Sequence, residues 1–171
     1  VFAVGDDGSI FRYDGTWTSM EGTGSAQTLH SIWGSSATDV YALESWAIIH
    51  YDGVSWSEIG VFTRPILDIW GSAANDVFVL QSENSVLHYD GTHWTDGPAY
   101  ATPSFRDVWA DAEGDAFAVG ASGAIFRGES NGVGRGWYPM QGGTAENLSG
   151  VWGNGSDTFV VGDNGTILRY D

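Results

Sequence analysis

Five times along the chain a short run of apolar residues is followed closely by a second one. The first runs are VFAVG at Val1, VYALE at Val40, VFVLQ at Val77, AFAVG at Ala116 and TFVVG at Thr158. The second are SIFRYD, AIIHYD, SVLHYD, AIFRG and TILRYD. A short segment with one tryptophan comes next, at Trp17, Trp56, Trp94 and Trp137. After a variable stretch a fourth apolar motif ends in another: LHSIW at Leu29, ILDIW at Ile66, FRDVW at Phe105 and LSGVW at Leu148. The runs are rich in Val, Ile, Phe, Tyr and Trp and bounded by Gly, Asp, Asn or Ser, which predicts strands. They are too short for helices, and no 3.6-residue period is sustained between them.

The turns between the runs have their own chemistry. The pairs Asp14-Gly15, Asp52-Gly53 and Asp90-Gly91 predict type I′ hairpins, which need positive φ at both central residues. Gly8, Gly123 and Gly165 share one position in the preceding hairpin, where a residue without Cβ is least strained.

Four strands recurring at spacings of 37 to 42 residues predict an all-β fold, a β-propeller of four-stranded antiparallel blades. The strand ending in Trp33, Trp70, Trp109 or Trp152 is termed A and expected innermost. The VFAVG-type strand is B, the YD-type strand C, and the Trp17-type strand D. The blade portions run 1–20, 28–59, 66–97, 105–140 and 148–171. The first portion lacks A and the last lacks D, which favours five blades with incomplete ends. A piece of a longer propeller, or a four-bladed ring completed by strand D of residues 16–20, fits the count as well. The unpaired outer edges of the terminal blades also point to association through them. Once-per-blade tryptophans at Trp33, Trp70, Trp109 and Trp152 are expected to be buried between blades.

Composition narrows the function. Of 171 residues, 22 are acidic, six are arginine and none is lysine, giving a net charge of −16. Such a surface repels nucleic-acid backbones and anionic membranes. No apolar stretch nears the ~20 residues that span a bilayer, so no membrane insertion is expected. Without cysteine there is neither a disulfide frame nor a thiolate metal site.

The YDGTW, YDGVSW and YDGTHW segments resemble those of Asp-box (BNR-like) propeller repeats. The pattern is also similar to repeats reading "WGSS…DVFAVGDNGTILHYDG" in secreted bacterial surface proteins. Here Tyr13, Tyr51 and Tyr89 stand immediately before Asp, where the Asp box differs. The resemblance implies a propeller and a secreted or cell-surface setting, and little about function, because one fold hosts many.

In a repeat protein, residues present in every blade are read as structural, and departures mark candidate sites. Asp39, Asp76, Asp115 and Asp157, before each strand B, are expected in turn hydrogen bonding rather than as a carboxylate ring around a cation. Arg12, His50, His88, Arg127 and Arg169, alike on strand C, are read as surface residues stacked on neighbours or paired with acids. The loops GDDGS at Gly5 and GDNGT at Gly162 lack the oxygen ligands of a calcium site, so no metal and no cofactor are expected. No G-x-S-x-G elbow and no Ser or Cys partner for His30 or His93 appears.

The departures lie in blades two and four. The second B–C hairpin, Leu43-Glu44-Ser45-Trp46-Ala47, is one residue shorter and has no glycine. It sets Trp46 at a tip beside Glu44, suited to stacking on a sugar or contacting a protein. Tyr100, in the loop between Pro98 and Pro103, is expected on the same face. In blade four GESNGVGRG, from Gly128 to Gly136, replaces the Tyr-Asp-Gly turn. These residues point to a non-catalytic binding or scaffolding propeller whose partner is a protein. A carbohydrate-binding lectin is the alternative, and a sialidase- or lyase-like enzyme the third reading.

Overall fold

A computed structural model describes residues 1–20, 24, 26–97, 104–111, 114–130, 135–154 and 156–171. Its described residues form five antiparallel sheets and no α-helix. The first sheet holds β1 (Phe2–Val4), β2 (Ile10–Tyr13) and β3 (Trp17–Met20). The second holds β4 (Ser31–Ser36), β5 (Asp39–Leu43), β6 (Ala47–Tyr51) and β7 (Trp56–Val61). The third holds β8 (Ile66–Ala73), β9 (Asp76–Gln81), β10 (Ser85–Tyr89) and β11 (Trp94–Asp96). The fourth holds β12 (Phe105–Ala110), β13 (Ala116–Gly120), β14 (Ile125–Ser130) and β15 (Arg135–Met140). The fifth holds β16 (Leu148–Gly153), β17 (Thr158–Gly162) and β18 (Ile167–Tyr170). Each sheet is a meander with its strands in chain order, A to D. The first lacks A and the last lacks D, as the repeat implies. The chain divides into two compact units, Val1–Ile69 and Trp70–Asp171.

Packing follows the two-residue alternation of a strand. In the second unit, Val108, Ala110, Ala116, Ala118 and Phe126 of the fourth sheet pack with Phe78, Leu80 and Val86 of the third. The alternate residues Trp109, Phe117, Val119 and Ile125 pack on the other side with Leu148, Val151 and Val160 of the fifth. One sheet therefore carries two apolar faces, each closed by a neighbour. In the first unit, Ile10, Phe2 and Val4 meet Leu29, Val40, Ala42 and Ile49 in the same manner. Fully burying one such Leu, Ile or Phe contributes about 1.5–3 kcal/mol.

Burial of the strand-A tryptophans corrects the expectation. Trp109 is 4% exposed, Trp33 and Trp70 are half-buried, and Trp152 is 56% exposed. The cover of such a tryptophan comes from the following sheet, not from its own. A Cβ added at Gly153 of β16 would lie 2.5 Å from the Trp109 ring. Phe159, the cross-strand partner of Trp152, is exposed as well. The strand-D series divides likewise: Trp56 and Trp137 are buried, Trp94 is half-buried and Trp17 is exposed.

The turns are also redistributed. At Asp52-Gly53 and Asp90-Gly91 only the glycine has positive φ, 93° in both, so these are not type I′ turns. The aspartate side chain closes them instead. Asp52 Oδ1 accepts the amides of Val54 and Ser55, both at 2.8 Å. The left-handed pairs lie in the B–C hairpins, at Asp7-Gly8, Glu83-Asn84, Ser122-Gly123 and Asn164-Gly165. Glycine is obligatory at Gly123, where a Cβ would sit 1.9 Å from the Thr144 carbonyl. The tyrosine before each aspartate pairs across the turn with the strand-D tryptophan: Tyr13 with Trp17, Tyr51 with Trp56 and Tyr89 with Trp94, ring centroids 5.0–5.2 Å apart.

Candidate functional site

The recurring acids and bases are partners. Where a sheet passes from A to B, the aspartate opening strand B meets the basic residue of strand C. His50 Nε2 lies 2.7 Å from Asp39 Oδ1, and His88 Nε2 2.7 Å from Asp76 Oδ1. Arg127 Nη2 lies 2.5 Å from Asp115 Oδ1, and Arg169 Nη2 2.6 Å from Asp157 Oδ1. A carboxylate only accepts, so the histidine nitrogen facing it carries the proton. The bases also lie against aromatic rings of strand B: His50 on Tyr41 at 4.5 Å, His88 on Phe78 at 4.8 Å and Arg12 over Phe2 at 5.9 Å. The Asp115 bond raises the Arg127 guanidinium further above its ordinary value.

In two sheets a serine joins the pair and gives it the members of a hydrolytic triad. Ser35 Oγ donates to Asp39 Oδ2, and Ser72 Oγ donates to Asp76 Oδ2 at 2.5 Å. The order is wrong for catalysis. A nucleophilic serine needs the imidazole at its oxygen, with the carboxylate behind the imidazole. Here the carboxylate is central and takes both hydrogen bonds, so these contacts activate no nucleophile. They brace the A–B turn against strand C. Among the described residues no group of three or more His, Asp or Glu is placed to hold a metal ion. No described helix is long and apolar enough to cross a membrane.

The opposite end of the second sheet is different. Its B–C hairpin closes in two residues, Glu44 N–H donating to Ala47 O at 3.0 Å. The equivalent hairpins at Gly5, Gly120 and Gly162 close in three, through their left-handed pairs. Neither Ser45 nor Trp46 has positive φ, which is why this turn needs no glycine. Both tip carbonyls are held: Ser45 O accepts Ile66 N–H at 2.9 Å and Trp46 O accepts Phe62 N–H at 2.8 Å. The backbone is thereby fixed while the Trp46 side chain stays 48% exposed.

Glu44 is 9% exposed. Beside the tip a shallow groove of about 340 Å³ runs between Thr28, His30, Ser45, Pro65, Ile66 and Leu67. His30 Nε2 bonds the Ile66 carbonyl at 3.1 Å and fixes one wall. Leu67 is 43% exposed and Val61, at the end of β7, 67%. The repeat comparison marked Trp46 and Glu44. It missed Val61 and Leu67, although Leu67 stands where the other strand-A motifs carry His30, Arg106 and Ser149. Tyr100, Pro98 and Pro103 lie outside the described residues, as do residues 131–134 of the blade-four loop.

No protein-family model matches the chain, and no curated protein sequence does. Solved structures match its fold. "YCF48 bound to D1 peptide" is 16% identical, with a TM-score of 0.73, over 99% of this chain and 59% of that one. The β-propeller domain of Cps50 (Swd1) from Myceliophteria thermophila is 14% identical, TM-score 0.73, over 91% and 56%. A catalytically inactive virginiamycin B lyase from Staphylococcus aureus, with quinupristin, is 12% identical, TM-score 0.66, over 99% and 68%. The fold is that of a β-propeller. The chain spans about three fifths of the length of the first of these structures.

Proposed function

We propose that this propeller binds a protein or peptide, without catalysis, at the hairpin rim of its second sheet. One observation carries the reading: a half-exposed tryptophan on a backbone fixed through both tip carbonyls, beside an apolar groove. A rigid aromatic anchor loses little conformational freedom on contact, and such residues dominate interface energetics. One protein of similar fold, YCF48, has been solved bound to a peptide, which supports the reading. The Ser–Asp–His order, which leaves serine without a base, weighs against hydrolysis. The resemblance to repeats of secreted surface proteins supports a setting outside the cell or on its surface.

Parallel selections test the function. A random-peptide display library and a glycan array are each exposed to the wild-type chain and to Trp46→Ala. Peptides enriched by the wild type and lost with the variant support the reading. Glycan signals that depend on Trp46 would move it to a lectin, and no Trp46-dependent ligand of either kind would refute it.

A further inference from the structure

Strand β5 carries an acid at each of its ends, and the two are treated differently. Asp39, at its start, is answered by His50 at 2.7 Å and by the Ser35 hydroxyl. Glu44, just past its end, is nine-tenths buried, yet among the described residues nothing donates to its carboxylate. The one fully enclosed side-chain nitrogen or oxygen without a partner among those residues is Trp56 Nε1, so the Glu44 oxygens reach solvent. A carboxylate whose stem is buried and whose oxygens have no protein donor is open to a charge-assisted hydrogen bond from an incoming cation.

The surroundings select the same kind of ligand. Trp46, two residues away, presents an aromatic face of the type that attracts ammonium and guanidinium groups. At two equivalent hairpins an acid bonds a neutral group: Thr28 donates to Asp6 at 3.0 Å, and Asn147 to Asp163 at 2.9 Å. The basic residues His50, His88, Arg127 and Arg169 are held at the other end of their sheets by the strand-B aspartates. With a net charge of −16 and no lysine, the chain also draws cationic partners over distance.

We infer that the occupant of the second-sheet rim is a cationic peptide segment, an arginine or lysine reaching Glu44 and Trp46 while a neighbouring apolar side chain enters the groove beside Leu67. This rests on the binding function proposed above and names the chemistry of its partner. It separates the roles of the rim: Glu44 and Trp46 select charge, whereas Pro65, Ile66 and Leu67 take apolar surface.

Fluorescence anisotropy of a labelled decapeptide of alternating arginine and leucine tests it, against the same peptide with citrulline for arginine. The full chain is used, with Glu44→Gln, Trp46→Ala and the exposed Glu58→Gln as the control for net charge. The arginine peptide is expected to bind at least about tenfold more tightly than the citrulline peptide. Glu44→Gln and Trp46→Ala should each weaken it about tenfold, and Glu58→Gln less than about twofold. Equal losses in Glu44→Gln and Glu58→Gln would overturn the inference by reducing the attraction to overall charge. If both peptides bind alike and Trp46→Ala abolishes both, the cation is refuted while the rim stands as a binding site. If Trp46→Ala changes neither, both readings fail.

Discussion

Asp107 joins two neighbouring sheets through a single carboxylate. Its Oδ1 accepts the amide of Val108 in its own strand at 2.8 Å, and its Oδ2 accepts the amide of Val151 on β16 at 2.7 Å. Both β12 and β16 break register here, between Phe105 and Asp107 and between Leu148 and Gly150. The bulge frees amides that the ladder would otherwise use, and the carboxylate collects them. Asp68 does the same work in the first unit, accepting from Ile69 N–H at 2.9 Å and Ser31 Oγ at 2.7 Å.

Asp107→Ala is therefore expected to cost about 2–4 kcal/mol, because it strands two amides in a part-buried place. Asp107→Asn keeps one acceptor and should lose about half as much. Urea denaturation measures both. Equal and negligible losses would show that water replaces the carboxylate.

Close approach of backbone to ring makes a second prediction. Gly153→Ala sets a methyl 2.5 Å from Trp109 and 2.8 Å from the Asp157 carbonyl, so it should destabilise by about 1–3 kcal/mol. Gly5→Ala is the contrast, since nothing lies within 4 Å of its Cβ and φ is −170°. Thermal melts of the two variants should differ by several degrees. Similar melting temperatures would mean that β16 shifts freely to admit the methyl.

The two kinds of tryptophan separate in stability. Trp109→Ala should cost about 3–5 kcal/mol, whereas Trp46→Ala, at a half-exposed tip, should cost under about 1 kcal/mol. Chemical denaturation of both variants reads the difference, and equal losses would place Trp46 in the core.

Acid should act through the C–D turns. In the folded chain Asp90 is held down to about 2, first by the Thr92 hydroxyl, then by the His93 and Thr92 amides. Asp52 is lowered too, first by Ser55 and then by Val54. Unfolded aspartates titrate near ~3.9, so between there and about 2 the unfolded chain binds more protons. The stabilisation from these groups is thus complete above the unfolded value and is lost as pH falls through the folded one. Melting temperature should drop on acidification across this window. Asp90→Asn should flatten that drop, and an unchanged slope would refute the assignment.

The repeat made most of the fold legible. VFAVG, SIFRYD and LHSIW and their copies mark strands B, C and A, and these runs are β-strands of the expected sheets. Asp-Gly pairs marked turns but misled on their type, because an aspartate side chain closes a turn as readily as positive φ does. The Asp39–His50 pair was not legible as such: its members lie 11 residues apart and meet only once B and C are in register. Trp152 misled because burial belongs to the neighbour, which a within-repeat comparison does not see. Trp46 stood out as a break in the repeat; Leu67, which stands where LHSIW, FRDVW and LSGVW carry His30, Arg106 and Ser149, is a break of the same kind that was missed because an apolar residue is ordinary in a strand.

The meander in each sheet has a consequence for how such a chain grows. Among the described residues every ladder bond of a sheet is made within one stretch of sequence, and no strand crosses over to another's place. Duplicating or deleting a stretch of that length leaves the hydrogen bonding of the remaining sheets intact. The interchange of His50 and His88 with Arg127 and Arg169 opposite the same aspartate is what copies accumulate when each is free to drift. A hairpin that has lost its glycine and gained a tryptophan is a further product of the same freedom: one copy released from the common pattern while its siblings hold the architecture.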